Sequence, residues 1–273
     1  MGGIGILVTK LERMRALDGV SDRLRDLLHG VWLGHPLHPA LVHAPVGAWL
    51  SAAVLDAMEG QEQAATTLVA VGTAAALPSA TTGAADWSAL SREQRRVGLV
   101  HAAANLVAVG LYGASLAARL RGNHRAGRRL GYVGLSVAGA GAYLGGHLSF
   151  AQAAGVNQAA AGRRLIPEGW GQVGDVEGFV DGQPAVRHLG DTPVLGFRRG
   201  ERFTVLLERC AHDSGPLGEG VAVQTDGQWS VACPWCGSTY RLSDGAVLHG
   251  PAATDQPTLL TRIVAGRLEA APA

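Results

Sequence analysis

At 273 residues and a formal net charge of +1, the chain is long enough for two modest domains and carries no basic surplus that would argue for nucleic acid. Charged residues make up only 16% of it and Lys10 is the sole lysine, while Gly and Ala dominate. The charge is unevenly spread, and the gaps in it organise the reading that follows.

The first residues, "MGGIGILVTKLERMR", lack the basic start and the long apolar run of a secretory signal, and the hydroxyl residue of a myristoylation site. Residues 10–31 repeat Leu and Arg at helical spacing, which predicts an amphipathic helix, lying on a membrane surface or packed on a second domain. Residues 40–58, 64–87, 97–118 and 130–151 hold almost no charge. Each is about 20 residues, the length of a helix that crosses a bilayer core of about 30 Å. Four such stretches with short Arg-rich connections predict an all-α four-helix transmembrane bundle rather than the buried helices of a soluble one. Pro45 and Pro78 fall inside the first two and are expected to kink them. Gly141 and Gly145 in the fourth permit close helix packing.

The stretch "AQAAGVNQAAAGRRLIPEG" is small and polar and reads as a tether. Beyond it the turn signals "RRGE", "TDG", "SDG" and "AGR" separate short runs of Val, Leu, Phe and Thr, which predicts a small all-β domain. The expected organisation is therefore an amphipathic N-terminal helix over 1–34, the four-helix transmembrane domain over 35–152, a linker over 153–167 and the β domain over 168–273.

All three cysteines of the chain fall in two loops of that last domain, as "CAH" (Cys210, His212) and "CPWC" (Cys233, Cys236). A disulfide between any two would strand the third. Two loops, each offering ligands two or three residues apart, suit either tetrahedral Zn²⁺ with Cys3His ligation or a [2Fe–2S] cluster. Spacing alone leaves both open.

The phrasing around these loops, "CAHDSGPLGEG", then "CPWCGSTYRLSDGAVLHGPA" and "TRIVAGRLEA", resembles a Rieske iron–sulfur domain over residues 168–273. The resemblance implies a [2Fe–2S] cluster with Cys210 and Cys233 on the inner iron, and His212 and position 236 on the outer one. Position 236 departs from the family, which has a histidine there. Cys236 leaves three outcomes: a Cys3His cluster, a lost cluster or a zinc site. As a ligand it would make the cluster one unit more negative than imidazole does and lower the potential. Ser238 and Tyr240 match family positions that donate hydrogen bonds to cluster sulfur, which raises it. An intermediate potential is the expectation. Trp235 and Pro234 are expected to shield the cluster from water.

The helical half opens with "HPLHPALVHAPVG" (His35 to Gly47), which resembles a family of four-helix bacterial membrane proteins over about residues 33–152. That resemblance supplies no biochemical role. With antiparallel neighbours, His43, Asp86, His101 and His147 fall at one end of the bundle, and Asp56 at the other beside the Arg119–Arg129 loop. Ionisable residues at membrane depth are costly and point to function. Three readings stand: histidines satisfied by carbonyls, a haem b with two histidine ligands, or a quinone pocket. The Lys/Arg bias places both termini and the β domain in the cytoplasm.

The expected protein is a multi-pass, Rieske-type electron-transfer protein of the bacterial inner membrane. It would pass electrons between a partner dehydrogenase or hydrogenase and a membrane acceptor, haem or quinone. It has no catalytic residues of its own and no room for the catalytic domain of a Rieske oxygenase, so it reads as a component of an oxidoreductase system. The alternatives are an iron–sulfur redox sensor or assembly factor, and a quinone reductase in its own right.

Overall fold

The computed structural model describes residues 21–225 and 227–273. Their described parts form two units: 37–154, which is helical, and 155–273 together with 21–36, which is built around β-strands. Residues 10–20 of the expected amphipathic helix lie outside the described residues.

The helical unit contains α2 (Leu37–Leu41), α3 (His43–Asp56), α4 (Glu62–Ser88), α5 (Arg92–Leu120) and α6 (His124–Phe150), so the four expected apolar stretches are all helical. The first is broken into a short and a longer helix, giving a larger helix count than four. Helix ends follow local chemistry. Ser91 and Gln94 form a reciprocal capping box at the start of α5, and Asn123 caps α6 through the Ala126 N–H. Pro78 sits inside α4 without ending it. Helices α4 and α5 are long and apolar enough to cross a membrane.

The interior of this unit is made of small side chains around one aromatic pair. Trp49 stacks on Tyr112 with ring centres 4.1 Å apart, packed by Ala52, Val69, Ala108 and Ala138. Large apolar side chains face outward instead: Leu77, Leu106, Val107, Tyr143 and Phe150 are all exposed. An outward apolar surface with an Ala/Gly interior is the inverse of a water-soluble bundle. Near one end, Arg119 makes a two-pronged salt bridge to Asp56 at 2.8 and 2.5 Å, with the two side chains 1% and 7% exposed.

The second unit begins with α1 (Asp22–His29) and resumes with α7 (Ala159–Arg164) and ten strands. One sheet has the order β1-β10-β9-β4-β3-β2, the other β5-β6-β7-β8. The strands are β1 (Gly171–Asp175), β2 (Pro184–Leu189), β3 (Thr192–Arg199), β4 (Arg202–Leu207), β5 (Val221–Thr225), β6 (Gln228–Ala232), β7 (Thr239–Arg241), β8 (Val247–His249), β9 (Thr258–Val264) and β10 (Arg267–Pro272). Each of the four turn signals falls between antiparallel partners: β3 and β4, β5 and β6, β7 and β8, β9 and β10. Val194, Leu195, Phe197, Val205, Leu206 and Leu268 form the centre of the core. The expected tether is partly folded: Gln158 N–H donates to Ala211 O at 2.8 Å, and Ala159 at the start of α7 is buried.

A thiol cluster at the tip of the β unit

Two loops deliver the candidate ligands. The first follows β4. Its backbone closes on itself, with Cys210 N–H donating to Gly215 O at 2.9 Å and Ser214 N–H to Cys210 O at 3.0 Å. The second joins β6 to β7, with Gly237 N–H donating to Cys233 O at 3.0 Å and Cys233 N–H to Ser238 O at 2.8 Å. The sulfurs of Cys210, Cys233 and Cys236 lie within 4.8 Å of one another, and Cys210 and Cys236 are 3.7 Å apart. Among the described residues this is the one such group of three potential metal ligands. His212 stands beside it, part-buried, and its ring is not one of the three gathered ligand atoms.

Donors converge on the sulfurs. The Tyr240 hydroxyl donates to Cys210 Sγ at 3.1 Å from a fully buried position on β7. The His212 backbone N–H donates to the same sulfur at 3.4 Å. Ser238 Oγ accepts from Cys236 Sγ at 3.3 Å and from Ala252 N–H at 3.1 Å, leaving its own hydrogen to donate. Hydrogen bonds from Cys233 and Cys236, with a further one from Tyr240, pull the Cys210 thiol down to about 2 against the opposing effect of burial. The same bonds to Cys210 push the Cys233 and Cys236 thiols up, and burial adds to both. A metal that takes all three sulfurs as thiolates must displace their protons.

Several groups that hold this geometry carry no sequence signal. Gln256 is 1% exposed and ties the first loop down from outside it. Its Oε1 accepts the Ala211 N–H at 2.9 Å, and its Nε2 donates to Leu207 O and Arg209 O, each at 2.7 Å. At Gly215 a Cβ would stand 2.6 Å from Cys233 Sγ and 3.1 Å from Trp235 Cγ, so only glycine lets the two loops close. Asp26 of α1 accepts from the His249 ring Nδ1 at 2.7 Å and from Gly250 N–H at 2.9 Å, tying the N-terminal segment to the strand beside Ser238. Trp235, expected to shield the site, is 61% exposed: it covers Gly215 with its base and leaves most of its surface open.

The bundle residues singled out from sequence differ in exposure. His43 and His147 are exposed, Asp86 is part-buried, and His101 is part-buried with Nδ1 on Gly141 O at 2.8 Å. The ring of His38, from the same "HPLHPALVH" run as His43, lies against that of His101.

The donor set fits a [2Fe–2S] cluster: two pairs from two loops, thiolate and imidazole, with hydroxyl and backbone donors aimed at sulfur. Comparison with known proteins agrees. Residues 169–261 match the Rieske [2Fe-2S] domain, and residues 34–158 match the family described as "Predicted membrane protein (DUF2231)". The anthranilate 1,2-dioxygenase ferredoxin subunit of Burkholderia cepacia is 29% identical over 100 residues, 37% of this chain and 89% of that protein. The ferredoxin of carbazole 1,9a-dioxygenase from Nocardioides aromaticivorans IC177 is 18% identical, covering 37% of this chain and 96% of that one, with a TM-score of 0.34. Sphingomonas yanoikuyae B1 ferredoxin is 19% identical, covering 37% and 97%, with a TM-score of 0.33.

Proposed function

We propose that this chain, a DUF2231 predicted membrane domain followed by a Rieske [2Fe–2S] domain, is a membrane-anchored electron carrier between a partner redox protein and an acceptor in the membrane. The observation that carries the reading is the thiol cluster with buried Tyr240 on Cys210, fused in one chain to a helical unit with an outward apolar surface. The bound cluster supplies a one-electron couple. Cys210, Cys233, Cys236 and His212 are the residues that would hold it, Cys210 and Cys233 on the inner iron and His212 and Cys236 on the outer one.

The chain's own residues set where that couple lies. Tyr240 and the His212 N–H donate to Cys210 Sγ, and Ser238 stands beside Cys236; donors to sulfur favour the reduced, more negative state. The thiolate of Cys236 in place of an imidazole adds a negative charge and favours the oxidised state. The balance is a potential between those of Rieske centres with two histidines and all-thiolate ferredoxins. The relative from Burkholderia cepacia is by name a ferredoxin subunit, which supports a carrier role with a separate redox partner. The open face of Trp235 offers that partner an apolar contact next to the ligand loops. The Lys/Arg bias supports a β domain on the cytoplasmic face of a bacterial inner membrane crossed several times.

The test is composition and turnover of the full chain. Anaerobically purified protein should hold about two irons and two acid-labile sulfides, with a [2Fe–2S] EPR signal on reduction. In membrane vesicles that signal should respond to a quinol or to an electron-supplying dehydrogenase. Stoichiometric zinc without sulfide would overturn the reading.

A further inference from the structure

The helical unit holds two histidines that the thiol site does not use. His38 of α2 and His101 of α5 have ring centres 6.5 Å apart and ring planes at 89°. Each ring is fixed by a carbonyl of another helix: His38 Nδ1 bonds Ser79 O of α4 at 2.8 Å, and His101 Nδ1 bonds Gly141 O of α6 at 2.8 Å. A carbonyl only accepts, so in both neutral rings Nδ1 carries the hydrogen and the lone pair is left on Nε2. That is the tautomer that binds metal, and an Nδ1–H bond to a carbonyl is what orients histidine ligands in metal sites.

The separation is the second observation. A metal–nitrogen bond of about 2.0–2.1 Å, plus about 1.1 Å from that nitrogen to the ring centre, puts two trans imidazoles about 6.3 Å apart, centre to centre. The two rings of this unit stand within a few tenths of an ångström of that value. Glycines make the room: a Cβ at Gly83 would stand 2.8 Å from His38 Cε1, and one at Gly145 3.2 Å from His101 Cε1. Asn105, one turn beyond His101, has Nδ2 3.3 Å from His101 Nε2 and bonds His101 O at 2.9 Å.

The ligand count decides what the pair takes. A bare transition-metal ion needs four or more donors from its surroundings. Among the described residues the thiol group alone gathers three or more potential metal ligands, so the bundle offers two. A metal that brings its remaining four ligands in a plane is haem iron. All three cysteines lie in the β domain, which rules out thioether attachment in the bundle. We infer that His38 and His101 are the two axial ligands of a non-covalently bound, b-type haem in the helical unit.

This inference specifies the membrane acceptor of the proposed carrier, yet its test is independent of the cluster. Full-length protein made in haem-replete cells should show a Soret band with a low-spin, six-coordinate spectrum, and hemin added to haem-free protein should saturate at about one per chain. His38→Ala and His101→Ala should each abolish the six-coordinate spectrum, whereas His43→Ala and His147→Ala should retain it. Gly83→Leu, which removes no ligand, should weaken hemin binding at least tenfold. His101→Met should restore binding with an altered spectrum, which a merely structural histidine would not do. The cluster EPR signal read in the same samples reports that the chain is folded, and separates the two claims: cluster without haem overturns this inference alone, haem without cluster overturns the carrier reading alone. Uptake of zinc or copper but not hemin, or a Soret band that survives both His38→Ala and His101→Ala, would also overturn it.

Discussion

In the β unit, three thiols come from two loops, one leading from β4 of the first sheet to β5 of the second and one joining the paired strands β6 and β7. In the helical unit, His38 and His101 are oriented by carbonyls 41 and 40 residues away along the chain. The first arrangement is local and rests on turns; the second depends on four helices keeping their mutual register. Damage to helix packing should therefore reach the histidine pair while the thiol loops survive, and damage to the loop supports should do the reverse.

The largest effect is expected at the far end of the bundle. Asp56→Ala leaves Arg119 charged and 1% exposed, which costs about 3–5 kcal/mol and should unfold the helical unit at markedly lower temperature. The double variant Asp56→Ala/Arg119→Met removes the stranded charge and should recover most of the loss. In both, the [2Fe–2S] EPR signal should persist to higher temperature than the helical circular dichroism does. Simultaneous loss of both would show that the two units are not independent.

The counterpart in the β unit is Gln256→Leu, which removes the partner of the buried Ala211 N–H and Leu207 carbonyl and of the part-buried Arg209 carbonyl. A cost of about 2–3 kcal/mol is expected, concentrated on the first ligand loop. Iron release to a chelator should accelerate with no change in the helical circular dichroism. Tyr240→Phe keeps the packing and removes one donor to Cys210 Sγ. The reduced state then loses about 1 kcal/mol, so the potential should fall by on the order of 40 mV. The smallest effect belongs to Asp26→Asn, which weakens the hydrogen bond between Asp26 and the exposed His249 ring and costs about 1 kcal/mol or less. It should raise hydrogen exchange in α1 while leaving both cofactor signals in place.

The same contrast explains what could be read in advance. "CAH" and "CPWC" announce a ligand set because loop ligands must sit close in sequence, and Gly and Asp at the turn signals mark the hairpins for the same local reason. The carriers of long-range order left no such mark. Gln256 sits in an unremarkable "TDQPT", and its role exists only once β9 lies beside β4. Asp26 meets His249 across 223 residues. In the bundle, sequence level along each helix singled out His43, His101 and His147, but level does not say which helical face looks inward. His38 of α2 meets His101 of α5, whereas His43, at the start of the separate helix α3, is exposed.

The most direct test of a Rieske centre with a thiolate on its outer iron is a redox titration of the full chain beside its Cys236→His variant, followed by EPR at several pH values. Cys236→His removes one negative charge from the cluster and adds an imidazole that titrates. The account predicts that the variant keeps a [2Fe–2S] signal with shifted g-values, a higher potential, and a potential that falls with rising pH across the imidazole range. Identical spectra and potentials in parent and variant would contradict it, because Cys236 would then hold no iron.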